Sequence, residues 1–315
     1  MNTKEYVVTP ELDGSRLDKA AAQLATGLSR ARVKRAIEEG SVLVNGRRRA
    51  KGAVVQAGDV LTIDEGKIAD PDAPAVPTPD APLTVVLERA DLLVVDKPAG
   101  QATAPLRPGE TGTLANALVG RFPELAGIGY GPREPGILHR LDVGTSGLVL
   151  VARTAASFAE LREALQSGRI EKRYELVCKS DGLPDEGSIE YPLTNHPKDQ
   201  RRVYACVHPR DVMRYAPRPA MTEYRVLARG GGHAHVEVKV AKALRHQIRV
   251  HFSSFGFPLI GDVLYGADEV PGLARHALHA SKISFVGSGS IAPFEATSAL
   301  PSELAALFAP AGDPA

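Results

Sequence analysis

The stretch that most limits how this chain can fold is Asp64-Glu-Gly-Lys-Ile-Ala-Asp-Pro-Asp-Ala-Pro-Ala-Val-Pro-Thr-Pro-Asp-Ala-Pro82, with five prolines, five acidic residues and no apolar periodicity. Each proline removes a backbone donor and fixes φ, so neither a helix nor a central strand crosses it. Residues 65–82 read as a semi-rigid, extended linker. The chain is therefore expected to fold in two pieces, 1–64 and 83–315, which suits a length of 315 residues, more than one core usually needs.

The first piece is basic. Between residues 15 and 51, ten basic side chains (Arg16, Lys19, Arg30, Arg32, Lys34, Arg35, Arg47, Arg48, Arg49 and Lys51) face three acidic ones, a local net charge of +7 hidden within a whole-chain value of +1. Leu17, Ala20, Ala21 and Leu24 recur at helical spacing, and Ser29 is placed to cap a helix over Arg30 to Glu39 that Gly40 ends. A strand Val42-Leu-Val44, a turn at Asn45-Gly46, and strands near Ala53 to Val55 and Val60 to Ile63 follow. Two basic helices and a small ribbon with one cationic face are the footprint of a phosphate-backbone binder. The order Arg16-Leu-Asp-Lys, then Ser29 to Gly46, then Val55-Gln-Ala-Gly-Asp-Val-Leu resembles the S4-like RNA-binding domain first described in a small-subunit ribosomal protein. That resemblance makes Arg30, Arg32, Lys34, Arg35, Arg47 and Arg48 RNA-binding candidates.

The second piece mixes strands and helices. Leu92-Leu-Val-Val-Asp96 and Leu148-Val-Leu-Val-Ala152 read as buried strands, and Thr113 and Thr154 cap helices ending near Arg121 and at Gly168. Ile170 to Cys178 alternates like a strand, residues 195–218 read as a basic loop, and strands are expected over Met221 to Leu227 and Ala234 to Ala241. Hairpin-like neighbours together with helices give an α+β domain with a mixed or largely antiparallel sheet, preceded by the small α+β RNA-binding domain.

Several classes are excluded by what the residues lack. No apolar run approaches the roughly 18 residues of a membrane span, and Met1-Asn-Thr-Lys-Glu-Tyr has no signal-peptide core, so a cytoplasmic protein without membrane attachment is expected. Cys178 and Cys206 are too isolated for a disulfide framework or zinc knuckle, and the pairs His233/His235 and His276/His279 lack carboxylates at ligand spacing, so no metal is expected. No Gly-rich phosphate loop and no internal repeat occurs.

Asp142, between His139-Arg140-Leu141 and the turn Gly144-Thr-Ser-Gly147, would alone be an ordinary turn aspartate. It belongs, however, to an ordered set: Lys97-Pro-Ala-Gly, His139-Arg-Leu-Asp-Val-Gly-Thr-Ser-Gly-Leu, Lys172-Arg-Tyr-Glu-Leu-Val, His246-Gln-Ile-Arg-Val-His, Pro258-Leu-Ile-Gly-Asp-Val-Leu-Tyr-Gly and Leu278-His-Ala. This set resembles the RluA-type family of pseudouridine synthases over about residues 13 to 305. The resemblance implies a cofactor-free enzyme that isomerises uridine in structured RNA. It implies that Asp142 acts at the sugar as nucleophile or as base for an elimination, and that Tyr174 stacks on the uracil. The resemblance also implies that Arg249 partners Asp142, with Arg245 as the fallback, and that Arg140 enters the helical stack that the target nucleotide has left; the alternative for Arg140 is a surface salt bridge. Ile248 walls the pocket or serves in the ordinary core.

Departures from the family pattern bear on target choice. Ala243-Leu244 stand where relatives usually carry Gly-Arg, which leaves Arg245 as the local RNA-contacting arginine. Ala104 stands where a histidine is frequent. A tethered RNA-binding module makes large-subunit ribosomal RNA, free or in a ribosomal precursor, the expected partner of a monomeric enzyme. Transfer RNA is the nearest alternative. Two rivals are a non-catalytic RNA-binding or assembly factor on the same fold, and a glycosidic hydrolase, for which a second carboxylate is lacking.

Overall fold

Helix caps shape the first unit. The computed structural model describes residues 3–25, 28–64 and 72–308. The chain divides into one unit of Met1–Pro74 with Leu106–Gly109 and another of Ala75–Pro105 with Glu110–Ala315. In the first, β1 (Thr3–Val7), α1 (Leu17–Leu24), α2 (Arg30–Glu39), β2 (Val42–Val44) and β3 (Val60–Asp64) follow in order, the strands forming an antiparallel sheet β1-β3-β2. Ser29 Oγ accepts the Arg32 N–H, and Gly40 closes α2 at φ 79°, a left-handed value that glycine adopts without strain. Leu17, Ala20 and Ala21 of α1 and Val33, Ala36 and Ile37 of α2 pack over Leu61 and Ile63 of β3. The helices thereby leave their charged faces outside.

Two expectations change here. α1 carries only Asp18 and Lys19 as charged residues, so the cationic face belongs to α2 and residues 47–49. Residues 53–55 form no strand; Val54 makes one bridge, to Arg16. Of the expected linker, residues 65–71 lie outside those described. From Ala75 onward the chain packs in the second unit: Ala75 N–H donates to the Pro132 carbonyl at 3.1 Å, and Thr78 N–H to that of Asn116 at 3.0 Å.

The second unit runs β4 (Thr84–Glu88), β5 (Leu92–Lys97), α3 (Leu114–Arg121), β6 (Ser146–Ala152), α4 (Ala155–Gln166), β7 (Ile170–Lys179), β8 (Glu186–Ile189), β9 (Leu193–Asn195), β10 (Val203–Ala205), α5 (Pro209–Tyr215), β11 (Thr222–Gly230), β12 (His233–Lys239), α6 (Gln247–Ser254), β13 (Leu278–Phe285), β14 (Phe294–Thr297) and α7 (Ser302–Ala305). Its main sheet has the order β4-β5-β6-β13-β7-β12-β11-β8, with β14 on β13. Only the β6–β13 pair is parallel, so the sheet is mixed. Every residue of β6 is buried, as its unbroken apolar run requires of a strand covered on both faces. Each such Leu or Val side chain contributes about 1.5–3 kcal/mol of burial, which anchors β6 in the sheet.

Residues 195–218 are not one loop. β10 pairs with β9 as a hairpin, and Pro209 starts the short α5, where its fixed φ suits the first helical turn. α6 is also absent from the sequence expectations, because six of its residues from Gln247 to Phe252 are buried together, polar ones included, and no amphipathic stripe marks it.

Candidate active site

Asp142 stands at the head of a turn leading into β6, its carbonyl accepting the Thr145 N–H at 3.0 Å. The backbone is fixed on both sides of it. Thr103 Oγ1 donates to the Leu141 carbonyl at 2.9 Å and accepts its N–H at 3.1 Å. The Val143 carbonyl accepts Gly100 N–H at 2.8 Å and Lys97 Nζ at 3.4 Å. Lys97 is fully buried, and its ammonium also donates to the Pro98 and Gln101 carbonyls at 2.9 and 2.8 Å. Burial lowers its pKa to about 8, with the charge of Asp142 acting in the opposite sense. On the far side of the turn, Thr145 Oγ1 bonds His276 Nε2 at 2.7 Å and Ser146 Oγ bonds His279 Nδ1 at 2.9 Å, tying it to β13 and the segment before it. These two histidines are thus occupied by hydroxyl partners.

The opposing wall is α6. Gln247 anchors its start: Oε1 accepts Leu244 N–H at 2.9 Å, and Nε2 donates to the Met221 carbonyl at 2.8 Å. Two residues on, Arg249 is 6% exposed, and its guanidinium reaches Asp142 Oδ2 through Nη1 at 2.8 Å. Its other edge is held bidentately by Asp262, Nε to Oδ2 at 2.7 Å and Nη2 to Oδ1 at 2.8 Å, and its plane lies over the Tyr265 ring at 5.1 Å. Burial alone would lower the arginine's pKa, but the bonds and charges of Asp262 and Asp142 outweigh it and hold it above its usual value. Arg249 is therefore a permanent cation aimed at one carboxylate by another.

His246 precedes α6 in a left-handed conformation, φ 54°, which brings its Nε2 to 3.7 Å from Asp142 Oδ1. Its Nδ1 meets the Tyr265 hydroxyl at 2.9 Å, and that oxygen accepts Val203 N–H at 2.8 Å. With the Tyr265 proton given to Nδ1, we assign the remaining imidazole proton to Nε2, facing Asp142. Burial lowers the His246 pKa, so the ring is neutral near pH 7.

Between these walls lies a cleft of about 390 Å³, counted to its open mouth, lined by Asp142, Tyr174, His246, Ile248 and Arg249 among others. Tyr174 projects from β7 and is 5% exposed; burial first, then the charge of Asp142, raises its pKa well above the ordinary phenol value. It stays a neutral phenol. Ile248 serves the core and the cleft wall at once. Arg140 lies at the exposed rim, paired with Glu134 at 3.0 Å. Arg245, the fallback partner for Asp142, instead donates to the Gln200 carbonyl at 2.7 Å. Ala243 and Leu244 line the cleft, and Ala104 packs against the core.

In the first unit Arg30, Lys34, Arg35, Arg47 and Arg48 are exposed and Arg32 is half-buried. Lys51 pairs with Glu38 at 2.8 Å and Arg16 with Asp18 at 3.0 Å, so neither belongs to the open cationic surface.

The family model described as RNA pseudouridylate synthase matches residues 91–254, a span that contains Asp142, Tyr174 and Arg249. The chain is 34% identical to the ribosomal large subunit pseudouridine synthase D of Yersinia pestis, over 94% of its own length and 90% of the relative's. The chain belongs to the RNA pseudouridylate synthase family. Its members isomerise uridine to pseudouridine in RNA. The S4 domain model matches residues 15–61 of this synthase, the span read above as an RNA-binding module. The synthase is also 32% identical to the uncharacterized RNA pseudouridine synthase YlyB of Bacillus subtilis, across 98% of both chains. Among solved structures, Human RNA Pseudouridylate Synthase Domain Containing 1 shares the fold, with a TM-score of 0.53 over 75% of this chain and 99% of its own at 24% identity.

Sequence reasoning did not single out Asp262, His246, Thr103 or Tyr265. Asp262 and Tyr265 lie in a quoted motif, Pro258 to Gly266, but nothing local distinguishes a carboxylate that will meet an arginine 13 residues away from one that faces solvent.

Proposed function

We propose that this synthase isomerises uridine in large-subunit ribosomal RNA, with Asp142 acting at the sugar, Tyr174 on the base and Arg249 holding Asp142 in place. The observation that carries this reading is the Asp142–Arg249–Asp262 chain at the floor of a cleft into which Tyr174 also faces. A carboxylate losing water must be compensated to remain ionised, and the Arg249 bond at 2.8 Å supplies that compensation. Ionised Asp142 then attacks the sugar carbon or removes a sugar proton, and the bond from sugar to ring nitrogen breaks. The detached uracil is retained against Tyr174, turns, and bonds again through carbon five. A neutral Tyr174 cannot take the carbon-five proton, and Asp142 is the one carboxylate among the described residues lining the cleft, so Asp142, once free, takes that proton and passes it to ring nitrogen one, which restores the carboxylate.

The target names of the curated relatives and the S4 domain favour ribosomal RNA over transfer RNA. Residues 1–64, through Arg30, Arg32, Lys34, Arg35, Arg47 and Arg48, grip the RNA backbone, while residues 83–315 carry the chemistry. Arg140, at the exposed rim, fills the stack left by the extruded nucleotide. We place the enzyme in the cytoplasm as a monomer. Hydrolysis is disfavoured by Asp262, which is 2% exposed and committed to Arg249.

The test compares the protein with Asp142→Asn on large-subunit and transfer RNA, mapping pseudouridine and free uracil. Pseudouridine in the former RNA with wild type, and none with the variant at equal RNA affinity, is expected. Product from the variant at the wild-type rate would remove Asp142 from the chemistry, free uracil would mean hydrolysis, and absence of product with wild type would mean a binding factor.

A further inference from the structure

Beside the uridine cleft lies a second one that no assigned role uses. Its volume is about 680 Å³ counted to its open mouth, and it lies between the β9–β10 hairpin and the chain entering α6. Leu193, Thr194, Asn195 and Val203 of the hairpin line it, with Arg218, whose backbone pairs with Leu193 through two 2.8 Å hydrogen bonds, and with Leu244 and Arg245 from the chain entering α6. Leu244 lines both this cleft and the one holding Asp142. The two are therefore neighbours across a single side chain.

The charge around this second cleft is lopsided. Residues 195–218 carry six Lys or Arg against two Asp. Both acids are engaged: Asp199 with Arg201 at 3.0 Å, and Asp211 by the Tyr204 hydroxyl at 2.9 Å. Lys198, Arg210, Arg214 and Arg218 have no carboxylate partner among the described residues, and Arg202 Nε is buried with no hydrogen-bond acceptor there. Of these only Arg218 lines the cleft, beside Arg245, whose guanidinium bonds the neutral Gln200 carbonyl. Two guanidinium groups without a carboxylate in a concave, partly apolar site call for an anion with several oxygens, since Arg presents a planar fork of donors that fits phosphate. A solvated charged face needs no cleft.

The hairpin is also coupled to the catalytic wall. Arg245 Nη2 bonds the Gln200 carbonyl at 2.7 Å, joining the hairpin loop to the residue before His246. The Tyr265 hydroxyl bonds Val203 of β10 at 2.8 Å and His246 at 2.9 Å. Whatever the hairpin grips is held in fixed register with Asp142.

We propose that this second cleft is a backbone-phosphate site for the RNA strand flanking the target uridine, with Arg218 and Arg245 as the phosphate ligands. A strand whose uridine enters the Asp142 cleft passes its neighbouring phosphate over Leu244 to those two arginines. The site rests on the RNA-isomerising reading above and adds to it the group that is bound and the residues that bind it. In this chain Arg245 and Arg218 supply locally the cation that the Ala243-Leu244 sequence lacks.

The test measures affinity of the full-length protein for purified large-subunit ribosomal RNA across a salt series, with Arg218→Ala, Arg245→Ala and Arg218→Lys. Both arginines are exposed, so the fold survives their truncation. Each alanine is expected to lower the slope of log affinity against log salt by about one and to raise KM for isomerisation, with Arg218→Lys recovering most of the slope. Slopes unchanged in both alanine variants would overturn the site, even while wild type makes pseudouridine. If instead the slopes fall but wild type makes none, the phosphate site stands and the catalytic reading falls.

Discussion

At the scale of single residues, Arg249 spends three of its donors on two carboxylates, and the division between them determines what Asp142 can do. Two bonds to Asp262 fix the guanidinium plane; the third reaches Asp142, the carboxylate proposed to act at the sugar. Replacing Asp262 by Asn leaves one acceptor where two were, so the fork is no longer locked and Nη1 drifts from Asp142 Oδ2. A misplacement of about 1 Å near the reacting atoms costs roughly a hundredfold in rate. Asp262→Asn is therefore expected to lower kcat about a hundredfold with a much smaller change in KM, read in single-turnover pseudouridine formation on saturating RNA. A loss confined to KM would mean that Arg249 serves binding alone. Asp142, Tyr174 and Arg249, which the structure brings to one cleft, could be proposed from the sequence only as a set, because each sits in a motif of its own. Asp262 was not, since its meaning depends on how the chain folds between α6 and residue 262, and the sequence offers no measure of that path.

Elements were legible where local chemistry fixes them. Ser29, Thr113 and Thr154 each accept a backbone N–H at the start of the helix they were expected to cap. Gly40 and Gly168 stand at the ends with positive φ. The run Leu148 to Ala152 became β6 because a short β-branched apolar stretch buried on both faces has few other uses. α6 escaped because Gln247, Arg249 and His251 turn inward to meet Met221, Asp262 and Thr222, which erases the polar face a surface helix would show. The Gly144 to Gly147 turn shows how an element presents a residue. Gly147 has φ 111°, and a Cβ there would stand 2.3 Å from the Ala280 carbonyl oxygen across the parallel β6–β13 pair. Neither backbone can yield without opening the sheet. Gly147→Ala is expected to cost about 3 kcal/mol in urea unfolding, the sum of strained backbone and displaced strand. Because Ser146 and Thr145 shift with it, activity per folded molecule should fall as well. An alanine variant that unfolds at the wild-type midpoint would show that β13 tolerates the added carbon.

Stability of the whole molecule is tied to acidity through the turn that presents Asp142. His276 is 7% exposed; burial first and the positive charge of Arg249 second bring its pKa from 6.5 to about 4. Its Nε2 bond to Thr145 is made by the neutral ring. In the unfolded chain the same imidazole titrates near 6.5. Above that value neither state binds the proton and the contribution of His276 is fully present. As pH falls, the unfolded chain gains a proton that the folded one refuses, so stability declines steadily until the folded value near 4 is passed. By pH 5 the loss from this one group is about 2 kcal/mol, at roughly 1.4 kcal/mol per pH unit. Carboxylates bonded in the native state titrate lower still, so the first decline on acidification belongs to buried histidines. Urea unfolding of wild type and His276→Gln at pH 7 and pH 5 isolates the effect: the glutamine side chain carries no titrating proton, so the variant should lose about 2 kcal/mol less than wild type between the two conditions. Equal losses would mean that His276 is accessible to protons in the folded enzyme. A pseudouridine yield that falls in parallel with wild-type stability over the same interval would then trace to the turn itself, since the Thr145 hydroxyl and the Asp142 carbonyl belong to one hydrogen-bonded loop.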